Sequence, residues 1–239
     1  MSKEVIANTT GFDAFIDGHS HSTFSETIKD KSGKEVVFEQ TGTKLANVGK
    51  IIIKADGTIT HENVDLNTVE PDAEAAAYIQ TITDKFDALQ KQVVAKTSVE
   101  LTINGADGKR AVRNAETNLG DLCADAYRIL LGADIAFVNG GGVRDNIKVG
   151  DITYGDIIKV HPFGNEACLV EVTGQQIKDA LELGSAAYPG ESGGFLQVSG
   201  LTYTINADIP SSVVKNDKSE FVKVDGAYRV SDIMVGGQP

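Results

Sequence analysis

The sequence predicts an α/β (α+β) protein in which helices accompany a mixed sheet. Apolar and polar residues alternate over several short segments, as they do in half-buried strands. Residues 79 to 93 instead repeat apolar positions every three or four residues, which is the period of an amphipathic helix. Farther along, helix, strand and glycine-loop signals follow one another, an order that suits a ligand site at the carboxyl end of a strand.

The first part of the chain is expected to form strands and then a linking helix. Residues 11–17 alternate like a strand and run into a loop that carries His19 and His21. Asp72 is placed to cap a long helix that ends near Lys96. Further short strands are predicted at residues 35–39, 45–54 and 58–60.

A second domain is expected to start at about residue 98. Its predicted elements, in order, are a strand at 99–103, a helix capped by Thr117 or Asn118, a strand at 134–138, a glycine loop at 140–142, a strand at 168–172, a helix opening at Thr173 and a strand at 198–205. We therefore divide the chain into a first domain at 1–70, a linking helix at 71–97 and a second domain at 98–239.

Composition excludes two classes of protein. With 41% hydrophobic and 23% charged residues, a chain of 239 residues can bury a core. A net charge of −12 without a dominant block of Lys or Arg argues against a nucleic-acid polymer as partner. We also expect no membrane span and no secretory signal, because no sufficiently long apolar run occurs.

The two cysteines are expected to be buried thiols. Cys123 falls in a predicted helix and Cys168 in a predicted strand, which favours burial over a disulfide bridge. The redox compartment is therefore left open.

His19 and His21 are candidate metal ligands. Neutral imidazoles one residue apart on a loop, next to Gly18 and Asp17, are suited to Zn²⁺ or a similar ion. The competing interpretation is that both are exposed loop residues, since two ligands alone do not make a tight site.

The span from Asn139 to Asn165 holds the candidate ligand site. Its triplet Gly140–Gly142 lets the backbone approach a ligand, although such a loop can equally be only a sharp turn. Arg144 offers a planar fork for phosphate. Arg113, just ahead of a predicted helix, can converge on the same anion.

Phe163 supplies an aromatic face to this span. It follows Pro162 and precedes Gly164, a setting that turns a ring outward. An isolated aromatic residue is more often part of a core, and this alternative stays open. If the ring is exposed, it can stack against a base.

Five segments carry a resemblance to a known family. Residues 13–21 resemble the last metal-ligand motif of the calcineurin-like metallophosphoesterase domain. Residues 113–121, 139–144, 155–165 and 194–200 resemble, in order, the signatures of the C-terminal substrate-binding domain of 5′-nucleotidases. The resemblance to the 5′-nucleotidase family implies a mixed sheet with helices in the second domain, preceded by a remnant of a metallophosphoesterase β-sandwich.

The resemblance also implies a set of substrate-binding residues. Two arginines hold the phosphate, two asparagines hydrogen-bond ribose or base, and a phenylalanine stacks on the base beside the glycine loop. In that order they are Arg113 and Arg144, Asn139 and Asn165, Phe163, and Gly141 and Gly142. The second stacking aromatic of the family is missing or altered here, because residues 228–239 depart from its pattern.

Two divalent ions of the Zn or Mn type are a further implication, with His19 and His21 as the closing pair of ligands. The family's other ligands and its His–Asp dyad would lie upstream of Gly11. We therefore expect a chain truncated at its N-terminus, with no catalytic residue of its own and no activity alone.

Two functions stay open at this point. The first is the C-terminal, substrate-specificity part of a metal-dependent nucleotide phosphohydrolase, which releases nucleoside and phosphate in nucleotide catabolism. The second is a non-catalytic module that binds nucleotides or nucleosides, and a metal-binding structural protein is a distant third. The resemblance implies an extracellular, periplasmic or cell-surface location and leaves a homodimer open.

Overall fold

Small sheets joined by helices make up the computed structural model of this protein, which describes residues 2–238. The predicted mixed α/β class is confirmed. The chain forms two compact units, one reaching to Thr81 and one starting at Ile82. The predicted domain boundaries near residues 70 and 97 stay a prediction.

The first unit contains the predicted strands. Its elements are α1 (Ser2–Asn8), β1 (Ala14–Ile16), β2 (Thr23–Lys29), β3 (Glu35–Thr41), β4 (Asn47–Ile53) and β5 (Ile59–Asp65). The helix α1 and the strand β2 were not predicted from the sequence. β3 lies between β1, which is parallel to it, and β2, which is antiparallel. β4 and β5 form an antiparallel hairpin. Ile6, Val36 and Phe38 are buried at the centre of this unit and are surrounded by phenylalanines.

The linking helix is shorter than predicted. α2 spans Ala73–Gln90, and the carboxylate of Asp72 accepts a hydrogen bond from the amide of Ala75 at 2.8 Å, as expected of a cap. The prediction that this helix continues to about residue 97 is wrong, because Val93–Thr97 forms the strand β6. Two consecutive valines favour extended backbone, and β6 gains an antiparallel partner in β8 (Gly150–Thr153).

The second unit alternates helices with two-stranded antiparallel sheets. β6 pairs with β8, β7 with β9, β10 with β13, and β11 with β12. After β6, its elements are α3 (Asn118–Leu131), β7 (Ala136–Asn139), β8 (Gly150–Thr153), α4 (Tyr154–Val160), α5 (Gly174–Gly184), β9 (Leu196–Ser199), β10 (Leu201–Ile205), β11 (Val213–Lys215), β12 (Phe221–Val224) and β13 (Val230–Val235).

Three strand predictions in this unit are corrected. Residues 99–103 make only a single bridge, from Leu101 to Ile147. The predicted strand at 198–205 is two strands, because Gly200 adopts a φ of +79° between them. The segment Cys168–Val172 joins no ladder, and Cys168 is therefore exposed, contrary to the expected burial.

The apolar core of the second unit underlies the candidate ligand site. Val112, Val138, Val143 and Val160 are all buried in one cluster with residues of α3. Val112, Val138 and Val143 directly precede the candidate site residues Arg113, Asn139 and Arg144 in the sequence. Among residues 2–238, no helix has both the length and the apolar character needed to cross a bilayer.

Candidate functional site

The glycine loop is held close to two neighbouring segments. Gly140–Gly142 forms a short 3-10 turn directly after β7. A Cβ atom on Gly140 would lie 1.9 Å from the carbonyl oxygen of Val112, and one on Gly141 would lie 2.9 Å from the backbone of Gly193. Only glycine fits such approaches, so the triplet has a structural role whatever it binds.

Two amides of the loop are already engaged. The Gly140 amide donates to the carbonyl of Phe195 at 2.7 Å, and the Gly141 amide donates to that of Gly193 at 2.9 Å. The side chain of Asn139 also donates to the Gly193 carbonyl, at 3.1 Å. The loop therefore brings together its flanking residues, and these two amides are not free donors for an anion.

Arg144 is brought next to Phe163. Its guanidinium carbon lies 5.6 Å from the centroid of the Phe163 ring, within the range of a cation–π contact. One guanidinium nitrogen donates to the carbonyl of Gly141 at 3.3 Å, and the Arg144 amide donates to the carbonyl of Val160 at 3.0 Å. A positive charge and an aromatic face thus lie side by side.

Arg113 is half-buried and lacks a hydrogen-bond partner at one donor. Its Nε is a buried atom without a partner among the described residues. Burial lowers the pKa of Arg113, and the positive charges of Arg110 and Arg144 lower it further, which shows that the three arginines are neighbours. A cluster of like charges with an unpaired buried donor is suited to an anion.

Glu191 partly balances this positive cluster. It forms a two-pronged ion pair with Arg110, in which the Arg110 Nε donates to Oε1 at 2.8 Å. Arg110 and then Arg113 both contribute to holding the pKa of the Glu191 carboxyl below its usual range. The amide of the next residue, Ser192, donates to the Arg113 carbonyl at 2.9 Å. The segment around Glu191 thus forms a second wall of the site.

Phe163 and Asn165 lie on an exposed turn. Phe163 is 59% exposed, so the expectation of an outward ring is confirmed. Gly164 allows the turn between them with a φ of +62°. Asn165 is exposed two residues beyond the ring and three residues before the segment Cys168–Val172 that joins no ladder.

Sequence reasoning missed Arg110, Glu191 and Gln197. Gln197 is buried, and its side-chain amide donates to the carbonyls of Val112 and Ala115 at 3.1 and 2.7 Å. The same side chain accepts from the amide of Thr117. It therefore fixes the backbone on both sides of Arg113. Gln197 lies within the signature at 194–200, but its contacts and the pairing of Arg110 with Glu191 could not be predicted locally, because the partners are about eighty residues away in the chain.

His19 and His21 lie in an exposed loop of the first unit, with φ angles of 69° and 59°. Between residues 2 and 238, no group of three or more His, Cys, Asp or Glu side chains is arranged to hold a metal ion. A protein metal site commonly needs three or four such ligands, so these two histidines do not form a complete one by themselves. Their role as metal ligands stays a prediction.

The second unit is a mixed α/β domain with a cationic and aromatic corner at the end of β7. The family model described as "5′-nucleotidase, C-terminal domain" matches residues 93–239. The chain belongs to this family.

Relatives and solved structures agree with this assignment. The trifunctional nucleotide phosphoesterase protein YfkN of Bacillus subtilis is 32% identical over 95% of this chain and 17% of its own length. A 5′-nucleotidase of Vibrio parahaemolyticus is 42% identical over 49% of this chain and 20% of its own length. The crystal structure of a 5′-nucleotidase precursor from Thermus thermophilus superposes with a TM-score of 0.67 and 28% identity, over 96% of this chain and 50% of that one. The matched segments thus cover a fifth or less of the length of these two relatives.

Proposed function

We propose that this chain is the substrate-specificity part of a nucleotide phosphohydrolase of the 5′-nucleotidase type. The observation that carries the proposal is the close approach of the Arg144 guanidinium to the exposed Phe163 ring, at 5.6 Å. A nucleotide combines a dianionic phosphate with an aromatic base, and these two groups need a cation and a ring at neighbouring positions.

Each side chain has a distinct role in the proposed complex. Arg144 and Arg113 hold the phosphate, and the buried Nε of Arg113 gains the partner that it lacks. Phe163 stacks against one face of the base. Asn139 and Asn165 hydrogen-bond ribose or base, while Gly141 and Gly142 allow the ligand to approach the backbone.

Hydrolysis itself is assigned to the intact protein. Residues 1–70 are proposed as part of a metallophosphoesterase domain, residues 71–97 as the segment that links it, and residues 98–239 as the substrate-binding domain. In the intact protein, two divalent ions of the Zn or Mn type would supply Lewis-acid chemistry at the phosphorus, and His19 and His21 would be two of their ligands. The proposed location is extracellular, periplasmic or cell-surface, and a homodimer is compatible with this assignment.

The test is a calorimetric titration of the chain with AMP. Arg144→Ala should weaken binding by about 1.5 to 3 kcal/mol, because it removes charge-assisted hydrogen bonds. Phe163→Ala should cost about 1 to 3 kcal/mol through the lost stack. Lys148→Ala and Tyr78→Ala remove an exposed cation and an exposed aromatic ring elsewhere, and they should leave the affinity unchanged.

If the Arg144 and Phe163 variants bind AMP as the wild type does, the site assignment is wrong. A phosphate-release assay with Mn²⁺ or Zn²⁺ tests whether hydrolysis requires the rest of the intact protein. This chain alone should bind without turnover, and robust hydrolysis would show that it needs no further ligands.

A further inference from the structure

The turn that carries Phe163 is tied to the loop that carries Arg144 at more than one point. The Arg144 amide donates to the Val160 carbonyl at 3.0 Å, and the Arg144 guanidinium approaches the Phe163 ring. His161 stands between Val160 and Phe163 in the sequence, so it lies within the short segment 160–163 that joins the two halves of the site.

The His161 ring is anchored in the core. Its Nε2 lies 3.2 Å from the sulfur of Cys123, which is buried on α3. Burial raises the pKa of this thiol to about 12, so the sulfur carries its hydrogen at neutral pH. We therefore assign the thiol as donor to Nε2, which leaves the proton of the neutral ring on the other nitrogen. The ring of Tyr127, also on α3, lies 5.9 Å from the imidazole.

We propose that His161 is a positioning residue that sets the spacing between the phosphate-binding Arg144 and the base-stacking Phe163. The inference rests on the proposed function and adds to it a residue that touches neither phosphate nor base. Cys123 on α3 fixes the imidazole, and the imidazole fixes the segment 160–163, in which the Val160 carbonyl accepts from the Arg144 amide and Phe163 supplies the ring. Burial lowers the pKa of His161, which favours the neutral ring that accepts from the thiol.

Such a role has a distinctive consequence for binding. A nucleotide gains affinity because its phosphate and base bind at the same time, and this gain depends on the distance between the two subsites. If the spacing becomes loose, the gain is lost, although each subsite still binds its own fragment. Loss of a residue that merely stabilises the fold would not weaken the binding of the whole nucleotide more than the binding of its fragments.

The experiment is an NMR titration of the full chain with AMP, adenosine and ribose 5-phosphate. His161→Ala should weaken AMP binding roughly tenfold or more, while the affinities for adenosine and ribose 5-phosphate change by less than about threefold. His161→Gln, whose side-chain oxygen can accept from Cys123, should recover part of the loss. His61→Ala, a histidine of the first unit, is the matched control and should bind all three ligands like the wild type.

A second pair of variants keeps the test open if His161→Ala does not fold. Cys123→Ala should produce a smaller loss for AMP alone, and Cys123→Ser, which retains a donor, should restore it. Equal AMP affinity in the wild type, His161→Ala and Cys123→Ala would overturn the positioning role, as would a uniform loss for all three ligands in folded variants. A wild-type chain that does not bind AMP would overturn the proposed function, and this inference with it.

Discussion

At the scale of single residues, Gly140 is the described glycine at which an added Cβ atom would meet the closest neighbour. A Cβ atom there would lie 1.9 Å from the carbonyl oxygen of Val112, which is part of the backbone and cannot rotate away. Arg113 follows Val112, so a shift at this contact reaches Arg113 of the proposed site as well.

We predict that Gly140→Ala destabilises the chain by about 2 to 4 kcal/mol, because a forced backbone shift in a packed region is among the costly changes. Urea unfolding followed by circular dichroism measures the change. Gly174→Ala is the control: it lies at the start of α5 with open space around its Cβ position, and it should stabilise by about 0.5 to 1 kcal/mol. Similar stabilities for both variants would contradict the close contact.

The sequence was informative about residues whose environment is local. Phe163 could be expected to point outward because proline and glycine flank it, and Thr117 and Thr173 could be expected to cap helices from their immediate context. Glu191 could not be placed in the site, because its partner Arg110 is 81 positions away. Such pairs depend on the path of the whole chain.

At the scale of elements, the start of α3 depends on one buried side chain of β9. Gln197 accepts from the Thr117 amide at 3.1 Å and donates to two carbonyls in the loop before the helix. It is 2% exposed, so water cannot replace these bonds if the side chain is changed.

We predict that Gln197→Leu lowers the free energy of unfolding by about 2 to 4 kcal/mol, because several buried backbone groups lose their partner. AMP affinity should fall as well, since the loop held by Gln197 includes Arg113. Gln175→Leu, on the exposed face of α5, is the matched control and should stay within about 0.5 kcal/mol of the wild type. An equally stable Gln197→Leu chain would show that the loop holds its shape without this residue.

Elements were predictable where the pattern itself decided the structure. The helices α3 and α5 and the strands β3 to β5 follow from periodicity and caps. The end of α2 was not predictable, because the apolar residues at 93 and 94 fit both a continued helix and a strand, and the partner β8 decides between them. The segment at 168–172 alternates like a strand but joins no ladder, so alternation alone was not sufficient.

At the scale of the whole molecule, the carboxyl group of Asp121 contributes to the pH dependence of the free energy of unfolding. Burial raises the pKa of Asp121 to about 6, with further contributions from Glu116 and Asp125. A carboxyl group whose pKa is raised by folding stabilises the folded state below the unfolded pKa of 3.8, and this contribution is lost as the pH rises through about 6.

We predict that Asp121→Asn removes this dependence. Relative to the wild type, the free energy of unfolding of the variant should be higher at pH 7 than at pH 4 by about 1 kcal/mol, a value that allows for solvent screening. Urea unfolding at pH 4, 5, 6 and 7 measures the difference from the wild type. Asp217→Asn, at an exposed turn, is the control, and its free energy of unfolding should change with pH as that of the wild type does. If the free energy of unfolding of Asp121→Asn also follows the wild type at every pH, the pKa of Asp121 in the folded chain lies near its ordinary value.

The unpaired segment at 168–172 has a practical consequence for the choice of stability assay. Together with β7 and α5 it borders an open groove of about 900 Å³, lined by apolar side chains that include Ile135, Phe137 and Ile177. Environment-sensitive fluorescent dyes report melting because they become bright in apolar surroundings, and this groove offers such surroundings before any unfolding takes place. A dye-based melting curve of this chain would then start from a high background. A spectroscopic signal from the backbone itself is the sounder reporter for every variant described above.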